Sequence, residues 1–325
     1  MQEAHSFSLQ QAAPVLARIK LMARLDVTQK RLPQDGRFTF PANGQVLDLR
    51  VSTMPLHNGE SVVIRLLDPA LGGLSLAELG YHVEVATGLE KAIEQQQGLV
   101  LVTGPTGSGK STTLYSLLTR LNKPEIKIIT IENPVEIVLP GINQIQVNDA
   151  HGVSFASALR SVLRQDPDVV MIGEIRDSET AKLAAQAALT GHLVLSTLHT
   201  SSAVSAISRL RDLGLADYLI SATLNTVVAQ RLLRVNCTKC DINQPSNSCR
   251  FCYGTAYSGR TTIAELLAGL NDIDLSQPTQ ELEAALELRL LNQSTLRHDA
   301  LRLLNEGVVD QAEVMRVLGI DASSL

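Results

Sequence analysis

One segment constrains this chain more than any other. GPTGSGKS at 104–111 directly follows the apolar run GLVLVT and opens a helix-forming stretch. It satisfies G-x-x-x-x-G-K-[ST] in the strand–loop–helix setting that gives the pattern its chemistry. Gly104, Gly107 and Gly109 let the backbone close into a loop whose N–H groups wrap phosphate oxygens, and Pro105, Thr106 and Ser108 complete that loop. Lys110 is expected to reach the β- and γ-phosphates and Ser111 to bind Mg²⁺, with Thr112 beside it in the same nucleotide site. The start of the helix adds a field that favours an anion. A nucleotide-binding strand–turn–helix unit is therefore expected at residues 98–122.

The remaining sequence sets the surroundings of that unit. At 325 residues, and about 150 residues per domain, roughly two domains are expected. Hydrophobic residues make up 45% of the chain, enough for a sizeable core, yet aromatics reach only 3% and Trp is absent. The core must be aliphatic, and a base-stacking platform for single-stranded nucleic acid is not expected. A net charge of −5 likewise argues against sequence-independent binding to DNA. The first twenty residues lack the basic start and long apolar stretch of a signal peptide, and the longest apolar runs are strand-sized. A cytoplasmic chain that meets a membrane only through partners is expected.

Two patterns divide the chain. Residues 1–24 read as a helix, followed by turns at Pro33 and Asp35-Gly36. The short strands FTF, VLDLRVSTM and SVVIRLL then follow, with turn signals at Asn43-Gly44 and Asn58-Gly59. This predicts a small α+β domain over 1–70 and a linker over 71–80. From about residue 81, GLVLVTG, KIITIEN, VVMIGEI and HLVLSTLHT are continuous apolar runs separated by helical stretches at 110–122, 154–165, 178–190 and 202–213. That alternation predicts an α/β domain over 81–236, its parallel sheet covered by helices on both sides. A cysteine module at 237–258 and a helical region at 259–325 complete the division.

Charged groups at strand ends are the candidate chemistry. In VVMIGEIRD (169–177), Gly173 stands where an aspartate is usual, and Glu174 is the candidate to polarise an attacking water. Glu132 and Glu136 flank Asn133-Pro134 at the end of another strand, and either could hold Mg²⁺ through water or position the nucleophile. His192 and His199 bracket the strand LVLSTL. They read either as a pair of hydrogen-bonded turn histidines or with one sensing the γ-phosphate, and spacing leaves both open. Cys237, Cys240, Cys249 and Cys252 form two C-x-x-C pairs with eight residues between them. Two such knuckles can surround one tetrahedral Zn²⁺, the alternative being four free or redox-active thiols.

Together, GPTGSGKSTTLYSLL, ITIENPVE, LRQDPDVVMIGEIRD and ALTGHLVLSTLHT resemble the ATPases of type II secretion and type IV pilus assembly (the GspE, PilB and HofB group). The resemblance extends upstream to RLPQDGRF and LDLRVSTMP, and downstream to AQRLLR, the C-x-x-C pairs and YSGRTTIAELL. It implies a RecA-like P-loop NTPase domain behind a partial N-terminal α+β domain, with a zinc-knuckle insertion. It also implies an Mg-dependent ATPase working as a hexamer on an inner-membrane platform protein. By the same resemblance Glu174 is the catalytic acid, 129–136 the aspartate box and 188–200, with His199, the histidine box. Arg50 and Arg65, with Arg37 a weaker candidate, are implied as nucleotide-contacting arginines. Two departures accompany it. Asn133 replaces an aspartate, and the sequence opens part-way into the family's second N-terminal domain. These leave a slowly hydrolysing assembly subunit, or the related motor of a DNA-uptake or conjugation machine, as the other expectations.

Overall fold

The computed structural model describes residues 5–42, 45–67, 72–240, 249–270, 277, 279–291 and 294–319. The turn expected at Asn43-Gly44 and the segment between the two cysteine pairs lie outside them. The chain forms two compact units, residues 1–71 with 136–138, and residues 72–135 with 139–325.

In the smaller unit helix α1 (Leu9–Met22) precedes a three-stranded antiparallel sheet of β1 (Gln34–Ala42), β2 (Gln45–Leu56) and β3 (Gly59–Leu67). Alternate residues of β2, Leu49, Val51 and Thr53, are buried with Lys20 and Ala23 from the helical side. The Lys20 amine, almost fully enclosed, is neutralised by Glu60 of β3 and donates to the Gln29 carbonyl at 2.7 Å. Such a pair tolerates burial because both charges find partners. The turn expected at Asp35-Gly36 is instead part of β1, where these residues pair with Ser52 and Val51. Gly36 serves close approach there: a Cβ would fall 2.4 Å from the Ala23 carbonyl oxygen.

The larger unit is built on a seven-stranded sheet. Its strands are β4 (Gly98–Thr103), β5 (Ile128–Glu132), β6 (Asn143–Gln146), β7 (Val169–Ile172), β8 (Leu193–Leu198), β9 (Leu224–Asn236) and β10 (Tyr257–Ala268), in the order β10-β9-β4-β8-β7-β5-β6. All neighbours run parallel except β10, which is antiparallel to β9. Every residue of β4, β7 and β8 is buried, as their unbroken apolar sequences require. Helices α2 (Val83–Ile93) and α3 (Lys110–Leu121) pack on one face of the sheet. The other face is covered by α4 (Phe155–Val162), α5 (Ser178–Leu189), α6 (Ala203–Asp212), α7 (Asp217–Thr223) and α8 (Thr279–Leu291). Helices α9 (Leu296–Asn305) and α10 (Gln311–Leu318) pack with Leu233 and Ile263 of β9 and β10.

The sheet is larger than the apolar runs predict. Residues 259–268, expected at the head of a helical C-terminal region, instead belong to β10 with the last two residues of the expected cysteine module. YSGRTTIAELLA joins β-branched Thr261, Thr262 and Ile263 to the helix-favouring AELLA and completes the sheet edge beside β9, so tertiary pairing decides its state. Among the described residues no helix is long and apolar enough to cross a membrane. Leu101, fully buried at the middle of β4, is a direct gauge of this core. Leu101→Ala is expected to lower the unfolding free energy by about 2–5 kcal/mol, read as a shift in the urea midpoint.

Candidate nucleotide site and cysteine centre

Strand β4 ends at Thr103, and the loop 104–109 turns the chain into α3. Gly104, with φ 149°, approaches β9 so closely that a Cβ would lie 2.6 Å from the Gln230 carbonyl oxygen. Gly109 adopts the left-handed conformation at the helix N-cap. The loop thus depends on glycine both for conformation and for contact. Pro105, Thr106 and Gly107 are exposed, while Ser108 is buried with its Oγ unpartnered among the described residues. Lys110 folds back over the loop, its Nζ donating to the carbonyls of Gly104 (2.8 Å) and Pro105 (3.1 Å). Burial pulls its pKa down, with Arg231 adding to the fall and Glu174 opposing it. Ser111 is exposed beside Lys110, with Thr112 half-buried next to it.

The ends of β7 and β8 bring Glu174 and His199 to the same side. His199 Nε2 lies 3.5 Å from a Glu174 carboxylate oxygen, and Arg176 Nε lies 2.5 Å from that oxygen. Burial, and then the Lys110 charge, depress the His199 pKa against the pull of Glu174. The imidazole is therefore neutral near pH 7. His192 sits at the other end of β8, its Nδ1 3.0 Å from the Ala187 carbonyl at the close of α5. The two histidines that spacing left equivalent have different settings, and only His199 meets the carboxylate. Gly173 fits where a larger residue would crowd β5: a Cβ would lie 3.3 Å from the Ile131 carbonyl.

Glu132 ends β5 with its carboxylate buried. It accepts from the Tyr115 hydroxyl, from Thr130 Oγ1 at 2.6 Å and from Gln144 Nε2 at 3.0 Å. Asn133 is exposed beyond it, and Glu136 belongs with the smaller unit. Arg37, Arg50 and Arg65 also belong to that unit, where they stand directly opposite one another on β1, β2 and β3. Aligned like charges of this kind are destabilising by themselves. Arg37 is held by Asp48, whose carboxylate accepts its Nε at 2.7 Å.

Sequence reading passed over the residue that braces the loop. Gln230, fully enclosed on β9, donates from Nε2 to the Ser108 carbonyl at 2.7 Å. Its Oε1 accepts from Thr113 Oγ1 at 2.9 Å and from the buried Tyr81 hydroxyl. Burial pushes the Tyr81 pKa up, so this hydroxyl keeps its proton to donate. A cavity of about 610 Å³ opens beside Pro105–Ser108, lined on its other side by Arg231, Arg234, Arg260 and Arg316. The only sequence signal for these groups is the polar content of AQRLLR in an otherwise apolar strand.

The four cysteines of the two C-x-x-C pairs converge. Their Sγ atoms all lie within 4.8 Å of one another, with Cys237 to Cys249 at 3.9 Å and Cys240 to Cys252 at 3.6 Å. None is in a disulfide. A tetrahedral site with Zn–S bonds of about 2.3 Å needs sulfurs about 3.8 Å apart, so these thiols fit the ion. N–H bonds from Cys252 and Phe251 bring the Cys249 thiol down to about 6, toward the thiolate that a metal needs.

A glycine loop at the end of a buried parallel strand, with a lysine over it and a carboxylate on the next strands, defines a P-loop nucleotide-binding protein with a RecA-like sheet. Residues 1–316 match the family of type II/IV secretion system proteins, and the chain belongs to it. It is 48% identical over 311 residues to the type II secretion system protein HxcR of Pseudomonas aeruginosa, covering 94% of this chain and 66% of that protein. It is 44% identical over 325 residues to the type II secretion system ATPase E of Vibrio cholerae, covering 93% of this chain and 65% of that protein. The chain thus spans just under two thirds of the length of these relatives. The crystal structure of the pilus retraction motor PilT with bound ADP superposes with a TM-score of 0.67 at 29% identity, covering 90% of this chain and 79% of that one.

Gln230→Leu removes a hydrogen-bond partner from the Ser108 carbonyl, Thr113 and Tyr81, the last two keeping the bond between them. It is expected to cost about 1–3 kcal/mol of stability and to weaken nucleotide binding, with Tyr81→Phe in the same direction but smaller. Urea unfolding together with calorimetric titration of nucleotide checks both.

Proposed function

We propose that this chain is the ATP-hydrolysing part of a motor that drives assembly of pseudopilus or pilus subunits in type II secretion or type IV pilus biogenesis. The observation that carries this reading is the meeting of Lys110, Glu174 and His199 around the glycine loop, in a chain of the secretion family. ATP binds with its phosphates on the N–H groups of Gly104–Lys110 and against the Lys110 ammonium. Glu174, at the γ-phosphate side, accepts the proton of the attacking water, and neutral His199 holds that carboxylate in place. Ser111 is the residue to hold Mg²⁺, which supplies charge neutralisation to the phosphates; Glu132, already satisfied by three donors, has a positioning part. Arg50 and Arg65 are the arginines that the family resemblance implies for the nucleotide phosphates, where guanidinium groups stabilise the charge that develops in the transition state.

The same reading covers the surroundings. Zn²⁺ held by Cys237, Cys240, Cys249 and Cys252 ties the end of β9 to the start of β10 and so fixes a long excursion from the sheet. The chain works as a homo-hexamer in the cytoplasm, docks on an inner-membrane platform protein through its assembly, and binds no nucleic acid directly.

Lys110→Ala is expected to abolish detectable ATP binding, whereas Glu174→Gln retains binding and lowers turnover by about 10²–10⁴-fold. Steady-state phosphate release with a binding titration tests both; full turnover in either variant removes that residue from the mechanism. Specific activity should rise steeply with protein concentration if a hexamer is the active form. Metal analysis of freshly reduced protein is expected to find about one zinc per chain, lost in Cys240→Ser.

A further inference from the structure

The strand order separates the site into two sides. Glu174 and His199 stand at the ends of β7 and β8, on one side of β4. The arginine-lined cavity stands on the other side, against β9 and β10. A triphosphate whose γ end meets Glu174 across the loop must therefore leave toward that cavity. The nucleoside half of the nucleotide follows it there.

The composition of the cavity suits such an occupant. Leu232 and Val317 supply apolar surface, and Arg231, Arg234, Arg260 and Arg316 supply guanidinium groups that can lie flat on a purine or bond to ribose and phosphate oxygens. Arg234 and Arg260 are directly opposed across β9 and β10, an unfavourable like-charge pair unless something holds them. For Arg234 that role falls to Glu313 of α10, which is wholly buried. Its carboxylate accepts from the Arg234 backbone N–H (2.8 Å), from Arg234 Nε (2.8 Å) and Nη2 (2.6 Å), and from Arg316 Nε (2.7 Å) and Nη2 (2.6 Å). Burial raises its pKa, but the bonds from Arg316 and Arg234 outweigh that and bring it down to about 2, so it stays ionised. Arg234 is fixed further by the Tyr257 ring, whose centroid lies 3.9 Å from its guanidinium carbon. One carboxylate thus sets two guanidinium groups at fixed positions, and the wall keeps net positive charge.

We propose that α10 forms the nucleoside wall of the ATP site, with Arg316 contacting the bound nucleoside and Glu313 as the positioning residue for Arg316 and Arg234. The inference rests on the ATPase reading above and adds which half of the nucleotide the C-terminal helix senses. It makes the last helix of the motor part of its substrate site, although α10 lies about 200 residues from the P-loop in sequence.

The test compares ATP with inorganic tripolyphosphate, which has the phosphates without the nucleoside. Arg316→Ala removes a side chain that is about half exposed, and Glu313 keeps its bonds from Arg234, so the fold is retained with a melting temperature a few degrees lower and binding is measured well below it. It is expected to raise KM for ATP and Kd for ADP about tenfold, with kcat falling less than about twofold and tripolyphosphate binding unaltered. Glu313→Gln should move KM in the same direction, and Glu313→Asp should restore part of the loss. Unchanged ATP affinity in Arg316→Ala overturns the proposal, as does an equal loss of tripolyphosphate, which would mean a general electrostatic effect. If Glu313→Gln does not fold, Arg316→Ala alone still decides. If the wild-type chain binds neither ATP nor tripolyphosphate, or Lys110→Ala weakens neither, the ATPase reading itself fails and takes this one with it.

Discussion

A strand buried on both faces can meet a ligand only at its end, and the site depends on what the chain does where β4 stops. There the loop must turn sharply and keep its shape with Lys110 folded over it. Glycine permits the turn but does not hold it. The hold comes from β9, whose Gln230 carbonyl leaves no room for a side chain at Gly104 and whose Gln230 amide donates to Ser108. Two hydroxyls, from Tyr81 and Thr113, occupy the other end of that amide, so it cannot turn away without leaving buried polar groups unpaired.

Around this point the sheet order sorts charge by chemistry. The β7 and β8 ends carry a carboxylate and a neutral imidazole next to Lys110. The β9 and β10 side carries guanidinium groups, two of them, Arg234 and Arg316, anchored by Glu313. Both sides act on Lys110: Glu174 stabilises its charge, while burial and Arg231 oppose it. A lysine in that balance gains most when a phosphate arrives, because an anion relieves both opposing contributions at once.

The cysteine centre and the C-terminal helices extend the same logic away from the loop. β9 and β10 run antiparallel, with the four thiols gathered between them. A metal there shortens the effective excursion and helps keep β10 in register. Arg260 and Arg234 stay opposed because that register is kept. The small unit shows a comparable device in the buried Lys20–Glu60 pair, which joins α1 to the far strand of its sheet.

How much of this was legible depended on whether a property is local. GPTGSGKS announced its loop, its helix and its ligand class because phosphate binding by backbone N–H groups needs a fixed local spacing. Unbroken runs such as VVMI and LVLSTL announced buried parallel strands, since burial on both faces leaves no alternation. The two C-x-x-C pairs announced a possible metal centre by ligand type and spacing. β10 was not legible, because β-branched residues at its centre are followed by the helix-favouring AELLA and only pairing with β9 selects one state. Nor was the difference between His192 and His199, which are chemically identical and stand at opposite ends of one strand. Gln230 and Glu313 were silent for the same reason: the Ser108 and Arg234 partners lie about 120 and 80 residues away; Arg316 is an ordinary i,i+3 partner of Glu313 until the fold sets both against the cavity. The sequence by itself therefore determined the phosphate loop, the class of sheet and the thiol set, all properties of short spacing and side-chain type. The tertiary structure alone decided which carboxylate, imidazole and guanidinium groups share that loop, because sheet order sets distance in space independently of distance along the chain.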